Sequence, residues 1–248
     1  YGNRKNSTCA NNITQRVPMN KDTGKPTPPQ LQLYDKLVQF PLFQGISSAD
    51  MADIVANYKL GFRKVRTGES IVSAGQRSVM LLMIAGGSVE MKRCSDNKIW
   101  EMTETLYAPY TIEPHRLFGL NNTLEADYTA LTNTNIIYIY KDELRRLIAN
   151  FEVIRINSLN LMAHSVQKFH NSLTQRQPET LTARIMRYIK ERCCYPAGRK
   201  VMKIKMTQLA EELNDSRLDI SRALNSLCQQ GIIALQRGTI IIEAIERC

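Results

Sequence analysis

Two arginines, Arg217 and Arg222, stand in TQLAEELNDSRLDISRALNSL, the segment from Thr207 to Leu227. A guanidinium is a planar, permanently charged fork, so it suits phosphate oxygens and the paired O6 and N7 acceptors of guanine. What the two can reach depends on the helix that carries them. Leu209 and Leu213 give a first helix an apolar inner face, and Asn214 with Asp215 reads as a tight turn, Asn being tolerant of left-handed backbone. Ser216 and Asp219 have capping-box spacing, the hydroxyl meeting free backbone N–H groups and the carboxylate reaching back to the cap. With Ile220, Leu224 and Leu227 as the buried stripe of a second helix, the period turns Arg217, Leu218, Ser221, Arg222 and Asn225 outward. Together with Ser216 they fall in the N-terminal half, the half that enters a DNA major groove in helix-turn-helix proteins. After Gly231 the run IIALQRGTIIIE reads as two short strands around Arg237 and Gly238, a small wing with a cation at its tip. A plain three-helix bundle with surface arginines is the competing reading, and the hairpin following in order weighs against it.

Other chemistry has little to build on. The six cysteines (Cys9, Cys94, Cys193, Cys194, Cys228 and Cys248) form no C-x-x-C pair, which argues against a zinc knuckle and against a disulfide framework. Reduced structural thiols are expected. The adjacent Cys193 and Cys194 are the pair to ask about oxidation, although nothing near them in sequence lowers a thiol pKa. His115, His164 and His170 make neither H-x-H nor H-E-x-x-H, so no metal, no cofactor and no catalytic residue is expected. With 248 residues and 43% hydrophobic content the chain has material for two folded units. Its formal charge of +10 points to an anionic partner, with nucleic acid, acidic membrane and acidic protein all open on charge alone. No apolar run has the length of a membrane span, and no secretory signal opens the chain, so a soluble cytoplasmic protein is expected.

The elements that must carry these residues follow from changes of texture. Residues 1–30, rich in Asn, Thr, Lys and Pro and ending in PTPPQ, read as a flexible arm, with Met19 a candidate natural start. Leu33, Leu37, Val38, Ile54 and Val55 recur at helical spacing around FPLFQGISS, predicting two short helices. Between Phe62 and Tyr140 the runs ESIV, VMLLMI, SVEM and NIIYIY are separated by Gly68, Gly75, Gly86 with Gly87, and SDNK, the punctuation of a β-roll. From Leu144 to Leu173 the apolar residues, Phe151, Ile154, Leu159, Met162 and Val166 among them, return to a helical period. Such a stripe packs on its own domain or on a second copy of itself, and its length after a closed roll favours the second. TQRQP, ending at Pro178, reads as a hinge and ETLTARIMRYIKERC as the next helix. The expected division of this α+β chain is a β-roll over 31–140, a dimerisation helix with hinge over 141–176, and a winged helix over 177–248.

At this point the chain resembles the Crp/Fnr family of bacterial transcription regulators over nearly everything after Leu31. Members join a cyclic-nucleotide-binding-like β-roll, a long dimerisation helix and a winged helix-turn-helix in this order. The family's spaced glycines are similar to Gly68, Gly75 and Gly87 in GESIVSAGQRSVMLLMIAGGSVEM, and the post-hinge helix resembles LTARIMRYI. SRLDISRAL, Ser216 to Leu224, is the strongest match. Arg217 and Arg222 stand at the family's arginine positions, while Leu218 stands where a Glu is usual. The resemblance implies double-stranded DNA carrying an inverted repeat as partner, a homodimer, RNA polymerase as a further partner, and a small-molecule effector. Nucleotide-binding relatives hold ribose and cyclic phosphate with a Gly-Glu pair and a later Arg-Ser or Arg-Thr pair. Aligned without gaps, Glu113 and Pro114 take the first place, and Leu124 and Glu125 the second. A pocket of Pro114, Arg116, Leu124 and Glu125 would then offer a phosphate a carboxylate, with Arg116 the one cation able to reach across. The effector implied is unknown and is not a cyclic nucleotide. Two other classes stay open here: a small-molecule sensor acting through protein contacts, and a cupin-like enzyme, which the dispersed histidines disfavour.

Overall fold

The computed structural model describes residues 28–174, 176 and 178–247. The expected arm up to residue 27, with Met19 and Cys9, lies outside the described residues, as do Gln175 and Gln177 of the expected hinge and Cys248. Helix α1 (Pro28–Leu37) begins inside the stretch expected to be arm. Pro28 and Pro29 lie in its first turn, where a missing N–H costs nothing and the fixed φ already suits a helix. A 3-10 turn at Pro41–Phe43 and α2 (Ser48–Asn57), capped by Ser47, complete the two short helices around FPLFQGISS.

The roll is formed by β1 (Gly61–Val65), β2 (Ser70–Val72), β3 (Met80–Gly86), β4 (Ser88–Cys94), β5 (Trp100–Tyr107), β6 (Tyr110–Ile112), β7 (Ala126–Ala130) and β8 (Thr134–Tyr140). Its strands pair antiparallel in the orders β1-β8-β3-β6 and β5-β4-β7-β2. Because successive side chains of a strand point to opposite faces, VMLLMI can be apolar throughout only if both faces of β3 are covered. They are. Leu82 and Ile84 face Val89, Met91, Leu106 and Tyr128 inside the roll, whereas Leu81 and Met83 meet Leu37, Phe43, Met51 and Leu147 of the helical layer. Gly87, at φ +93, turns β3 into β4 so tightly that an added Cβ would lie 2.7 Å from the Asn133 carbonyl oxygen.

Two helices follow the roll, α3 (Lys141–Asn150) and α4 (Glu152–Thr174), with the break at Phe151. Phe151 was a candidate for a seam between copies by its period. In the fold it packs edge-on against Tyr58, ring centroids 5.5 Å apart, and belongs to the chain's own helical core. Ile154 and Leu161 of α4 turn inward to the same core, while Ile156, Leu159 and Val166 stay exposed on another side. Among the described residues no helix is long and apolar enough to cross a membrane.

The last part contains α5 (Leu181–Glu191), β9 (Lys200–Ile204), α6 (Met206–Leu213), α7 (Arg217–Gln229), β10 (Ala234–Gln236) and β11 (Thr239–Ile242). Ile185, Ile189, Leu209, Ile220, Leu224, Leu227, Ile240 and Ile242 form its core. Its sheet continues into the roll. Strand β9 pairs with β11 on one edge and with β5 of the roll on the other, making seven strands in the order β10-β11-β9-β5-β4-β7-β2. At that seam Lys200 Nζ lies 2.7 Å from Glu104 Oε2, both side chains fully buried. Glu104 also accepts the N–H groups of Cys194 at 2.7 Å and Tyr195 at 3.1 Å.

Candidate nucleic-acid interface and effector cradle

The turn between α6 and α7 is made as the residues require. Asn214 is left-handed at φ 49° and ψ 55°, and the Asp215 N–H returns to the Ala210 carbonyl at 3.0 Å. Ser216 caps α7, its Oγ accepting the Asp219 N–H at 3.1 Å. The cap differs from the expected box in one bond. The Asp219 carboxylate takes the Ser216 hydroxyl at 2.6 Å, because the Ser216 N–H is already given to Asp215 Oδ1 at 2.9 Å. Arg184 of α5 ties down the turn by bonding Asp215 Oδ2 and the Leu213 carbonyl.

Ile220, Ala223, Leu224 and Leu227 are the buried side of α7. On the other side Ser216, Arg217, Leu218, Arg222 and Asn225 are exposed and Ser221 is half-buried. The Arg222 guanidinium is 70% exposed and sits 3.3 Å from Asp219 Oδ1, an exposed pair loose enough to exchange for a stronger anion. Arg237 lies exposed at the tip of the β10–β11 hairpin, followed by Gly238 at φ 69°. The arrangement is a row of side chains, most of them donors and most on the N-terminal half of a capped helix, whose dipole adds positive potential, with a further cation on a neighbouring wing. It can bind a polyanion and read acceptors on it.

The second group of expected residues is divided. Glu113, left-handed at φ 33°, leads into a 3-10 turn at Pro114–Arg116. Its carboxylate is buried and accepts the N–H of Glu125 at 2.8 Å, the N–H of Ala126 at 3.1 Å and the Tyr128 hydroxyl at 3.3 Å. Arg116 pairs with Glu125, and Arg93 of β4, which sequence reasoning missed, approaches that carboxylate at 3.8 Å. Leu124 is buried in the roll core, and Pro114 lines a different space, an apolar groove of about 560 Å³ with Leu42, Phe118, Leu144 and Leu159. Thus Arg116 and Glu125 are brought together, whereas Leu124 and Pro114 serve other surroundings.

Burial raises the Glu113 pKa above the ordinary carboxylate value, against the opposing pull of Tyr128, the Ala126 N–H, Arg116 and Arg93. Burial, with Arg116 and Arg93 nearby, lowers that of His115. Burial pushes the Cys193 thiol up to about 12 and raises Cys194 as well, so both favour the unreactive thiol over the thiolate. Because Glu113 binds its proton more tightly folded than unfolded, its contribution to stability is complete below the unfolded carboxylate range. That contribution is lost as pH rises through the folded value. We predict that Glu113→Gln removes this part of the acid-to-neutral pH dependence, read as urea midpoints against pH. A profile parallel to that of the unaltered protein would show that Glu113 titrates like a free carboxylate.

Residues 183–247 match a family model described as a Crp-like helix-turn-helix domain. A curated relative, the cyclic AMP receptor protein of Thermus thermophilus, is 23% identical over 205 residues, covering 81% of this chain and 91% of the relative. Among solved structures, the catabolite activator protein of Thermus thermophilus is similar at a TM-score of 0.46 and 19% identity, over 82% of this chain and 94% of that one. The sensor domain of the transcriptional regulator DNR from Pseudomonas aeruginosa is similar at a TM-score of 0.48 and 14% identity, over 62% of this chain and all of that one.

Proposed function

We propose that this chain, a member of the Crp/Fnr family of bacterial transcription regulators, binds an inverted repeat in double-stranded DNA as a symmetric homodimer. The observation that carries the reading is the outward row on α7, with Ser216, Arg217, Leu218, Arg222 and Asn225 exposed and Ser221 half-buried, together with exposed Arg237 on the wing. Arg222 reads a guanine, Arg217 contacts phosphate or a neighbouring base, and Arg237 contacts phosphate from the wing. The exposed side of α4 supplies the dimer contact, since Ile156, Leu159 and Val166 are large apolar residues that the described residues leave about half exposed or more. We assign the β-roll to 31–140, the dimer helix and hinge to 141–176, and the DNA-binding unit to 177–248. The protein acts in the cytoplasm by binding rather than catalysis, with RNA polymerase as its further partner.

The effector is a small molecule other than cyclic AMP or cyclic GMP. A buried cyclic phosphate needs a cation and N–H donors in place of its hydration. Here the Glu125 and Ala126 N–H groups are taken by Glu113, and Arg116 is neutralised by Glu125. Titration calorimetry with each nucleotide is therefore expected to give no binding in the micromolar range. Such binding, accompanied by higher DNA affinity, would overturn this part.

Selection of bound sequences from a random duplex library tests the main reading and yields the site. On that site Arg222→Ala is expected to cost ~1–3 kcal/mol and to relax preference at one base pair. Arg237→Ala is expected to weaken all sequences alike. Equal losses from Arg222→Ala on the selected site and on random DNA would reject its base-reading role, and recovery of no sequence would reject the function.

A further inference from the structure

Leu218 stands out on the reading face. It is 60% exposed in the first turn of α7, with exposed Arg217 before it and Arg222 one helical turn beyond. An isoleucine or leucine on the outer side of a folded helix is ordinary, but this one sits inside a basic rim built to meet a polyanion. Its acidic neighbour does not compete for the same space, because the Asp219 carboxylate is held at the cap by the Ser216 hydroxyl and pairs with Arg222. The partner of such a side chain must be an apolar group projecting from an anionic groove. In the DNA major groove only the C5-methyl of thymine meets that description.

We propose that Leu218 is a specificity-determining residue that selects thymine through its methyl group. This rests on the reading of α7 as the DNA-binding helix. Leu218 and Arg222 are four residues apart on α7, roughly 6 Å along the axis, and base pairs stack at roughly 3.4 Å. The selected thymine therefore lies within about two base pairs of the guanine read by Arg222. A leucine cannot donate to or accept from the polar edges of the other bases, so cytosine at this position leaves an amine without a partner and guanine leaves two acceptors.

The test uses the full chain and the site recovered from the random library. Replacing the thymine nearest the guanine by deoxyuridine removes one methyl group and leaves every hydrogen bond in place. For the unaltered protein this is expected to lower affinity about fourfold, the value of one apolar carbon removed from contact. Leu218→Ala should bind the thymine site more weakly and lose the distinction between thymine and deoxyuridine. Because the side chain is exposed, that variant is expected to unfold at the same urea concentration, which separates a lost contact from a lost fold. A recovered site with no thymine within two base pairs of the guanine would overturn the proposal while leaving DNA reading intact. Equal binding of thymine and deoxyuridine by the unaltered protein would do the same. Recovery of no site at all would overturn the DNA-binding reading on which the proposal stands.

Discussion

Replacing Lys200 by methionine is expected to lower the folding free energy by about 3–5 kcal/mol. Lys200 and Glu104 are both fully buried and in contact at 2.7 Å. With the ammonium gone, the carboxylate keeps only the N–H groups of Cys194 and Tyr195, and a charge in that position has no water to turn to. The double variant Glu104→Gln with Lys200→Met should recover most of the loss, because the penalty belongs to the stranded charge and not to the absent attraction. Urea unfolding of the two variants checks both statements. A loss under about 1 kcal/mol for Lys200→Met would mean that the Glu104 carboxylate is not stranded when the ammonium is removed.

The place of this pair gives the variant a second consequence. Five residue pairs, Trp100 with Ile204 through Glu104 with Lys200, join β5 of the roll to β9 of the C-terminal part. A change in the angle between the two parts would break that ladder. Glu104 holds Tyr195, Tyr195 packs edge-on against Tyr110 at 6.4 Å, and Tyr110 packs on the roll core that contains Tyr128. Tyr128 in turn donates to Glu113. A buried line of contacts thus runs from the cradle to β9. Amide exchange at Glu125 and Ala126 is accordingly expected to quicken in Lys200→Met, where Glu104 no longer anchors the line at its far end.

How far each feature was legible in the sequence depended on how local its cause is. The turn and helix around Ser216 were readable because the left-handed Asn214, the cap and the apolar period all act within a few residues. The roll was readable from its glycines and β-branched runs, including the doubly buried β3. By contrast β9 escaped, since its buried side is Lys200, Met202 and Ile204, and a lysine facing the interior hides the alternation that marks a strand. Only its distant partner Glu104 explains it. Glu113 escaped for a similar reason: its role depends on a non-glycine residue held at positive φ and on N–H groups brought to it from β7 and the residue before it. Period alone also placed Phe151 on the same stripe as Leu159, because it could not foresee the break that turns Phe151 toward Tyr58.

That break decides which substitution separates the two copies. Ile156, Leu159 and Val166 of α4 are exposed by 47%, 60% and 66%, and their spacing of three and seven residues keeps them on one side of the helix. A second copy laid against this side, as proposed, would bury them in a symmetric contact; an inverted repeat requires two copies of α7 about 34 Å apart. Leu159→Asp replaces apolar area in the middle of that contact by a carboxylate that the contact would desolvate, even with Arg145 and Arg155 lining the same groove, and Leu159 is outside the chain's own buried core. The unaltered protein is expected to sediment as a dimer at micromolar concentration and Leu159→Asp as a folded monomer. Phe151→Asp should instead unfold the helical layer, because Phe151 packs inside it. Once the copies part, the second half-site no longer benefits from the first, so affinity for the full inverted repeat should fall by roughly 10²–10⁴ while affinity for a single half-site stays the same. A Leu159→Asp protein that remains dimeric, or an unaltered protein that sediments as a monomer, would show that this side of α4 is not where two copies meet.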